Sequence, residues 1–259
     1  MSLLESVILG LVQGLTEFLP VSSSGHLVLV GQFMDLERVG LGFEVWVHLA
    51  TLVAVTVALH KDLVSMAKSV LPGATDRSEG LNLWKCVIIG TIPAAIFGIL
   101  AKDTIESAFG SVKLVGVDLI ITGFILLLSR FFPGGNKKLT VGRALLIGTA
   151  QALAIFPGIS RSGSTLTAGL ILGLRGVDAT RFSFLLAFPA ILGAAVLEFG
   201  SLKSLGETQP WILVGSFLAA SISGYVAIRI VWKVMERGRL FAFAPYCFLI
   251  GLWVVFFVG

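Results

Sequence analysis

Six runs of apolar residues, near 43–60, 82–100, 112–130, 179–200, 210–229 and 240–258, are each long enough to cross roughly 30 Å of hydrocarbon as a helix. Such a chain has few options. In lipid every backbone N–H and C=O must find its partner inside the protein, which leaves helices or a closed barrel, and runs of this length are helix length. Composition agrees: 56% of the 259 residues are hydrophobic and 13% are charged, against roughly 25% charged in a soluble domain. A soluble core of this size cannot hide so much apolar surface, so membrane lipid must cover it. The N-terminus has no basic stretch or small-residue cleavage site, so its apolar segment is expected to be retained. Cys86 and Cys247 lie in apolar runs and are expected to be inert hydrophobes, with no disulfide or metal role.

Two further apolar regions, 3–34 and 141–174, are interrupted midway. The interruptions read Pro20-Val21-Ser22-Ser23-Ser24-Gly25-His26 and Pro157-Gly158-Ile159-Ser160-Arg161-Ser162-Gly163. Proline, glycine and serine clusters end helices. Each arm has only about a dozen residues, so it reaches the midplane and turns back. The predicted fold is therefore all-α and integral to the membrane: six transmembrane helices plus two re-entrant helical hairpins. Irregular backbone at that depth must be buried in protein or line a wet cavity.

Lys and Arg set the orientation. With the N-terminus outside, fourteen of the 19 fall on the inside, in the 60–85 and 130–143 segments, the 175–181 link and the 229–239 loop. Arg38, Lys102, Lys113 and Lys203 fall outside, and Arg161 alone falls within the membrane. This is the positive-inside bias. It also accounts for the net charge of +4 without a nucleic-acid partner, and none is expected.

The interrupted regions resemble each other at a constant displacement of 138 residues, which pairs Gly10 with Gly148, Gln13 with Gln151, Phe18 with Phe156, Ser22 with Ser160, Ser24 with Ser162 and Gly25 with Gly163. One membrane domain, 1–259, then consists of repeat 1 (about 3–130) and repeat 2 (about 141–258). Each is a hairpin followed by three crossings, so the second is inverted. Such repeats place their site near the midplane, where broken helices meet.

Ionisable groups inside a bilayer indicate function by default. Glu17 lies one helical turn beyond Gln13, on the same face. Ser22, Ser23, Ser24, Gly25 and His26 follow. The other hairpin offers Ser160, Arg161, Ser162, Gly163, Ser164 and Thr165. The second arm of each hairpin begins after its break, so free N–H groups point into the site, as in phosphate sites. Arg161 adds a planar fork for two phosphate oxygens. Glu17 can move a proton or hold a hard divalent cation, Mg2+ or Ca2+. A serine here is either a nucleophile or a donor to phosphate. Structural readings stand beside these: an ion pair between hairpins for Glu17 and Arg161, a hydrogen-bonded packing residue for His26, helix caps for most serines. His48, on an apolar span, and His60 are expected to be structural. Asp118 and Glu198 are expected to be interfacial or paired.

The segment Gln13-Gly14-Leu15-Thr16-Glu17-Phe18-Leu19-Pro20-Val21-Ser22-Ser23-Ser24-Gly25-His26 closely resembles the first signature of the undecaprenyl-diphosphate phosphatase family, bacitracin-resistance type. Pro157–Thr165 resembles its second, and Gly90–Ala94 and Phe182–Ala190 also fit, so the likeness covers nearly the whole chain. The resemblance implies a membrane phosphatase that removes the terminal phosphate of a C55 polyprenyl diphosphate and recycles the cell-wall carrier lipid. It also implies a divalent cation, a multi-pass position in the bacterial cytoplasmic membrane and a site opening to the outer face. Glu17, Ser23, His26 and Arg161 would be the catalytic set. Gln13 stands beside them, Ser22, Ser24, Gly25, Ser160, Ser162, Gly163 and Thr165 complete the candidate substrate-binding residues, and Glu17 is also the candidate metal ligand. The first acidic-or-amide position is Gln13 here, so a second carboxylate there is not essential. A homodimer is a further expectation. The lipid phosphatases related to acid phosphatases fit less well: they need a histidine six residues after the arginine, where this chain has Thr167. The competing functional reading is a transporter or flippase for a phosphorylated lipid. It needs the arginine but has less use for Glu17 with a serine and His26.

Overall fold

The structure, a computed structural model, describes residues 1–34, 40–72 and 77–258, apart from the side chains of residues 106 and 207. Arg38, assigned above to the outer side, lies outside the described residues. All regular structure among them is helical. The order is α1 (Leu3–Phe18), α2 (Ser23–Phe33), α3 (Leu41–Ala58), α4 (His60–Ser69), α5 (Arg77–Leu100), α6 (Lys102–Ala108), α7 (Val112–Leu128), α8 (Val141–Leu153), α9 (Arg161–Ile171), α10 (Gly176–Leu197), α11 (Pro210–Glu236) and α12 (Ala244–Phe257). Short 3-10 segments at Phe199–Glu207 and Leu240–Phe243 precede α11 and α12.

Five segments are long and apolar enough to cross a membrane: α3, α5, α10, α11 and Leu240–Phe257. They fall on five of the six expected runs. The remaining run is α7, with 17 residues, about 25 Å of helix. Large side chains such as Leu100, Phe256 and Phe257 are more than two-thirds exposed, as expected where lipid and not water is the solvent. With several such helices, the chain is a multi-pass membrane protein.

One sequence expectation needs correction. The 229–239 stretch was expected to be a loop, but α11 continues to Glu236. Nothing in the sequence breaks it before Gly238, and 27 residues make about 40 Å of helix, longer than the hydrocarbon. Arg229 and Lys233 thus ride on a helix. Among the described residues, the inner 60–85 segment holds α4 and the first turns of α5.

Small residues let helix backbones approach closely, the usual basis of packing in membranes. A Cβ at Gly148 on α8 would fall on the carbonyl of Gly90 on α5, and one at Gly10 on α1 on the carbonyl of Ser216 on α11. Gly116 on α7 and Gly251 on α12 meet in the same manner. The pairings exchange halves: the first helix of each broken pair packs on a long helix from the other half of the chain. At the centre, Phe18 and Phe184 meet edge to face, centroids 5.5 Å apart. Pro93 and Pro189 lie inside α5 and α10. Cys86 and Cys247 are buried free thiols.

Candidate functional site

Each broken region is a helix, a short irregular turn and a second helix. Helix α1 stops where Pro20 forces Leu19 into extended backbone (φ −60°, ψ 142°). Helix α2 starts with Ser22 as its cap, the Ser22 Oγ accepting from Gly25 N at 3.4 Å. Helix α8 stops before Pro157-Gly158, and Ser160 caps α9 by accepting from Gly163 N at 3.1 Å. Gly158 has φ +106°, a region that favours glycine. A Cβ there would also lie 2.6 Å from both Asp118 Cβ and Val115 O.

The two turns are tied together. Gly158 N donates to Ser22 Oγ at 3.1 Å, and Ser162 Oγ donates to the Leu19 carbonyl at 3.2 Å. Thr122, on α7, locks the second turn by donating to Gly158 O (2.8 Å) and accepting from Ser160 N (2.9 Å). The breaks expected to meet therefore do meet, and they bring Glu17 and Arg161 together.

Glu17 is the hub. Its Oε1 lies 2.6 Å from Arg161 Nη2. Its Oε2 accepts from Ser23 Oγ at 2.5 Å and from Gln13 Nε2 at 3.0 Å, and faces His48 Nε2 at 3.6 Å. The carboxylate is buried, while Arg161, Ser23 and His48 are partly exposed. A charge buried at this depth is tolerable only with such partners. Arg161 keeps a second nitrogen, Nη1, buried and without a hydrogen-bond partner. Half of its fork is therefore uncommitted.

Among the described residues, no three His, Cys, Asp or Glu side chains converge as a metal cluster. Even so, Gln13 Oε1 is buried without a partner next to the Glu17 carboxylate. A carboxylate plus an amide oxygen is the donor type a hard cation takes, with substrate phosphate and water completing the set. The residues fit Mg2+ or Ca2+ in that limited sense.

The other expected residues divide. Ser22 and Ser160 act as caps, and Ser24 Oγ lies 3.3 Å from Ser22 Oγ. Gly25 packs on Gly158, and Gly163 donates its N–H to Ser160. Thr165 Oγ1 is 2.6 Å from Ser183 Oγ and donates to the Arg161 and Ser162 carbonyls. His26 is not hydrogen-bonded to Glu17, Ser23 or Arg161. Its Nδ1 meets Ser22 O at 2.8 Å and its Nε2 meets Tyr246 OH at 2.7 Å. The histidine beside Glu17 is His48, expected to be structural. Its Nδ1 donates to the Glu44 carbonyl at 2.7 Å, which aims Nε2 at the carboxylate. The signal for it was present, an ionisable residue in a membrane span. His60 instead caps a carbonyl, Val57 O, at 2.9 Å. Glu198 pairs with Lys102 at 3.1 Å as expected. Asp118 is buried beside Gly158 and has no hydrogen bond or ion pair among the described residues.

Residues 6–253 match the family described as Bacitracin resistance protein BacA. Among curated relatives, the undecaprenyl-diphosphatase of Desulfosudis oleivorans is 43% identical, with 97% of this chain and 98% of that protein aligned. The undecaprenyl-diphosphatase of Korarchaeum cryptofilum is 42% identical over the same shares. That of Methanosphaera stadtmanae is 39% identical, over 97% of this chain and 96% of its own.

Proposed function

The chain belongs to the bacitracin resistance protein BacA family, and on that premise we propose that it hydrolyses undecaprenyl diphosphate to the monophosphate and inorganic phosphate. The carrier lipid is thereby returned to cell-wall synthesis. The observation that carries this reading is one convergence: a serine hydroxyl donates to a carboxylate that a guanidinium also holds.

Ser23 Oγ attacks the terminal phosphorus while Glu17 Oε2 takes its proton, across the 2.5 Å hydrogen bond already formed. The bridging P–O bond breaks, and polyprenyl monophosphate leaves. Water then attacks the phosphoserine, the Ser23 Oγ–P bond breaks, Glu17 returns its proton to Ser23 Oγ, and the proton of the attacking water leaves with the inorganic phosphate. Arg161, through its uncommitted Nη1, and the N–H groups at the start of α2 and α9 bind the phosphate oxygens where negative charge develops. A divalent cation would be held by Glu17 and Gln13 Oε1, and when bound it supplies charge neutralisation to the diphosphate.

The membrane arrangement that suits this chemistry is the six-crossing layout with α7 as a crossing. The pairs α1–α2 and α8–α9 serve as re-entrant hairpins, and the repeats (about 3–130 and 141–258) are inverted. Support comes from the shared displacement of 138 residues between Leu3 and Val141 and at both ends of α2 and α9. The exchanged packing of α1 with α11 and α8 with α5 supports it too. The proposed location is the cytoplasmic membrane with the site towards its outer face, and a homodimer is the proposed assembly.

The test is phosphate release from a C55 polyprenyl diphosphate by purified protein in detergent, with and without chelator. Release that chelation abolishes and Mg2+ or Ca2+ restores is expected. Movement of the lipid across vesicles without phosphate release would favour the carrier reading, to which the exchanged packing of the halves is also suited.

A further inference from the structure

Ser22 is the one non-glycine residue with positive φ, +70°, among the described residues. L-residues hold that conformation only where their surroundings over-determine it. Here four groups do so. The Oγ accepts from Gly158 N and Gly25 N, and the carbonyl accepts from His26 N at 3.2 Å and from His26 Nδ1 at 2.8 Å. The residue it orients is Ser23, the next in the chain.

A carbonyl oxygen only accepts, so His26 Nδ1 must carry a proton. In the neutral ring Nε2 is then a bare acceptor. Tyr246 OH lies 2.7 Å from it and donates. The rings also stack, nearly parallel at 9° with centroids 5.7 Å apart. Tyr246 comes from α12, 220 residues away. His26 is buried and both of its nitrogens are engaged, so it has none left to meet the substrate.

We propose that Tyr246 is a positioning residue acting through His26: its hydroxyl holds the ring in the Nδ1–H tautomer, and the ring clamps the Ser22 carbonyl so that Ser23 faces Glu17. This rests on reading Ser23 and Glu17 as the reacting pair. It assigns His26 a structural hydrogen bond in the turn in place of proton transfer.

The tautomer is read directly by imidazole 15N NMR, since the chain has three histidines. Wild-type His26 should show Nδ1–H with Nε2 bare. Tyr246→Phe should yield mixed tautomers and a kcat lower by about tenfold, the scale of one buried hydrogen bond, with KM unchanged. His26→Asn places an amide N–H near the Nδ1 position and should keep kcat within about threefold. His26→Gln displaces the donor and should lose at least about tenfold. The proposal is overturned by an Nε2–H tautomer in the wild type. It is equally overturned by a Tyr246→Phe protein with unchanged spectrum and kcat, or by a His26→Asn protein as inactive as His26→Gln. Full activity in Glu17→Ala or Ser23→Ala would instead sink the Ser23–Glu17 reading, and the NMR result distinguishes the two failures.

Discussion

Arg161 Nη2 and Glu17 Oε1 lie 2.6 Å apart although the residues are 144 positions apart in sequence. Each stands beside a break, Glu17 just before the first and Arg161 at the start of the helix after the second. Ser22 and Ser162 tie the two turns together and Thr122 fixes the second, and this brings the pair within reach. A buried pair of this kind is fragile to loss of either partner, since the survivor keeps its desolvation cost.

Arg161→Lys tests the clamp. Lysine retains the charge but not the fork, so it cannot engage Glu17 and a phosphate oxygen from separate nitrogens. We expect kcat/KM to fall by at least about 100-fold, roughly 2.7 kcal/mol of transition-state stabilisation. Steady-state phosphate release by the folded variant measures it, and near-normal turnover and affinity would remove the clamp role.

Glu17→Ala and Ser23→Ala should each lower kcat by at least about 100-fold, the usual scale for losing acid–base help. Thermal melts check folding, because Glu17→Ala leaves Arg161 short of a partner. Glu17→Gln, which keeps the shape, controls for that. A folded Ser23→Ala protein with full kcat would assign the attack to water.

Much of this site is legible in the sequence because its signals are local. Pro20 and Pro157 stand in clusters of proline, glycine and serine, which break helices where the lone Pro93 and Pro189 do not, and Ser22 and Ser160 cap the helices that follow. The spacing of Gln13 and Glu17 puts them on one face by helix geometry alone. What the sequence does not reveal depends on tertiary contact. His26 stands at the end of a serine-rich break and His48 within an apolar span, and neither position shows what the ring will meet. Only the packing of α3 against α1 and α11 makes His48 the neighbour of Glu17, and only α12 brings Tyr246 to His26. The length of α11 is hidden for a different reason: the hydrophobic run ends at the membrane edge, while the helix continues to Glu236, just short of Gly238.

His48→Ala should lower kcat by about tenfold, less than Glu17→Ala, because the 3.6 Å contact is longer than a hydrogen bond. A double-mutant cycle isolates it. In a Glu17→Gln background, His48→Ala should cost almost nothing more, since the two act on one group. Additive losses would mean that His48 works elsewhere.

The exchanged packing of the two halves makes a paired prediction about stability. Gly148 rests on the backbone of Gly90, and Gly10 rests on the backbone of Ser216. In both places the neighbour is a carbonyl in a helix, which cannot swing aside as a flexible side chain would. A methyl group at either position must push the helices apart. Overpacking of this kind costs about 1–3 kcal/mol. Gly148→Ala and Gly10→Ala should therefore lower the thermal midpoint by similar amounts, because they probe equivalent contacts. Gly142→Ala is the control: its Cβ would meet nothing within 4 Å, and replacing glycine within α8 should leave stability unchanged or slightly raised. The measurement is the melting temperature of each purified variant in one detergent. Loss of stability in Gly148→Ala alone would show that the two interfaces are not equivalent, and would count against the inverted arrangement of the halves.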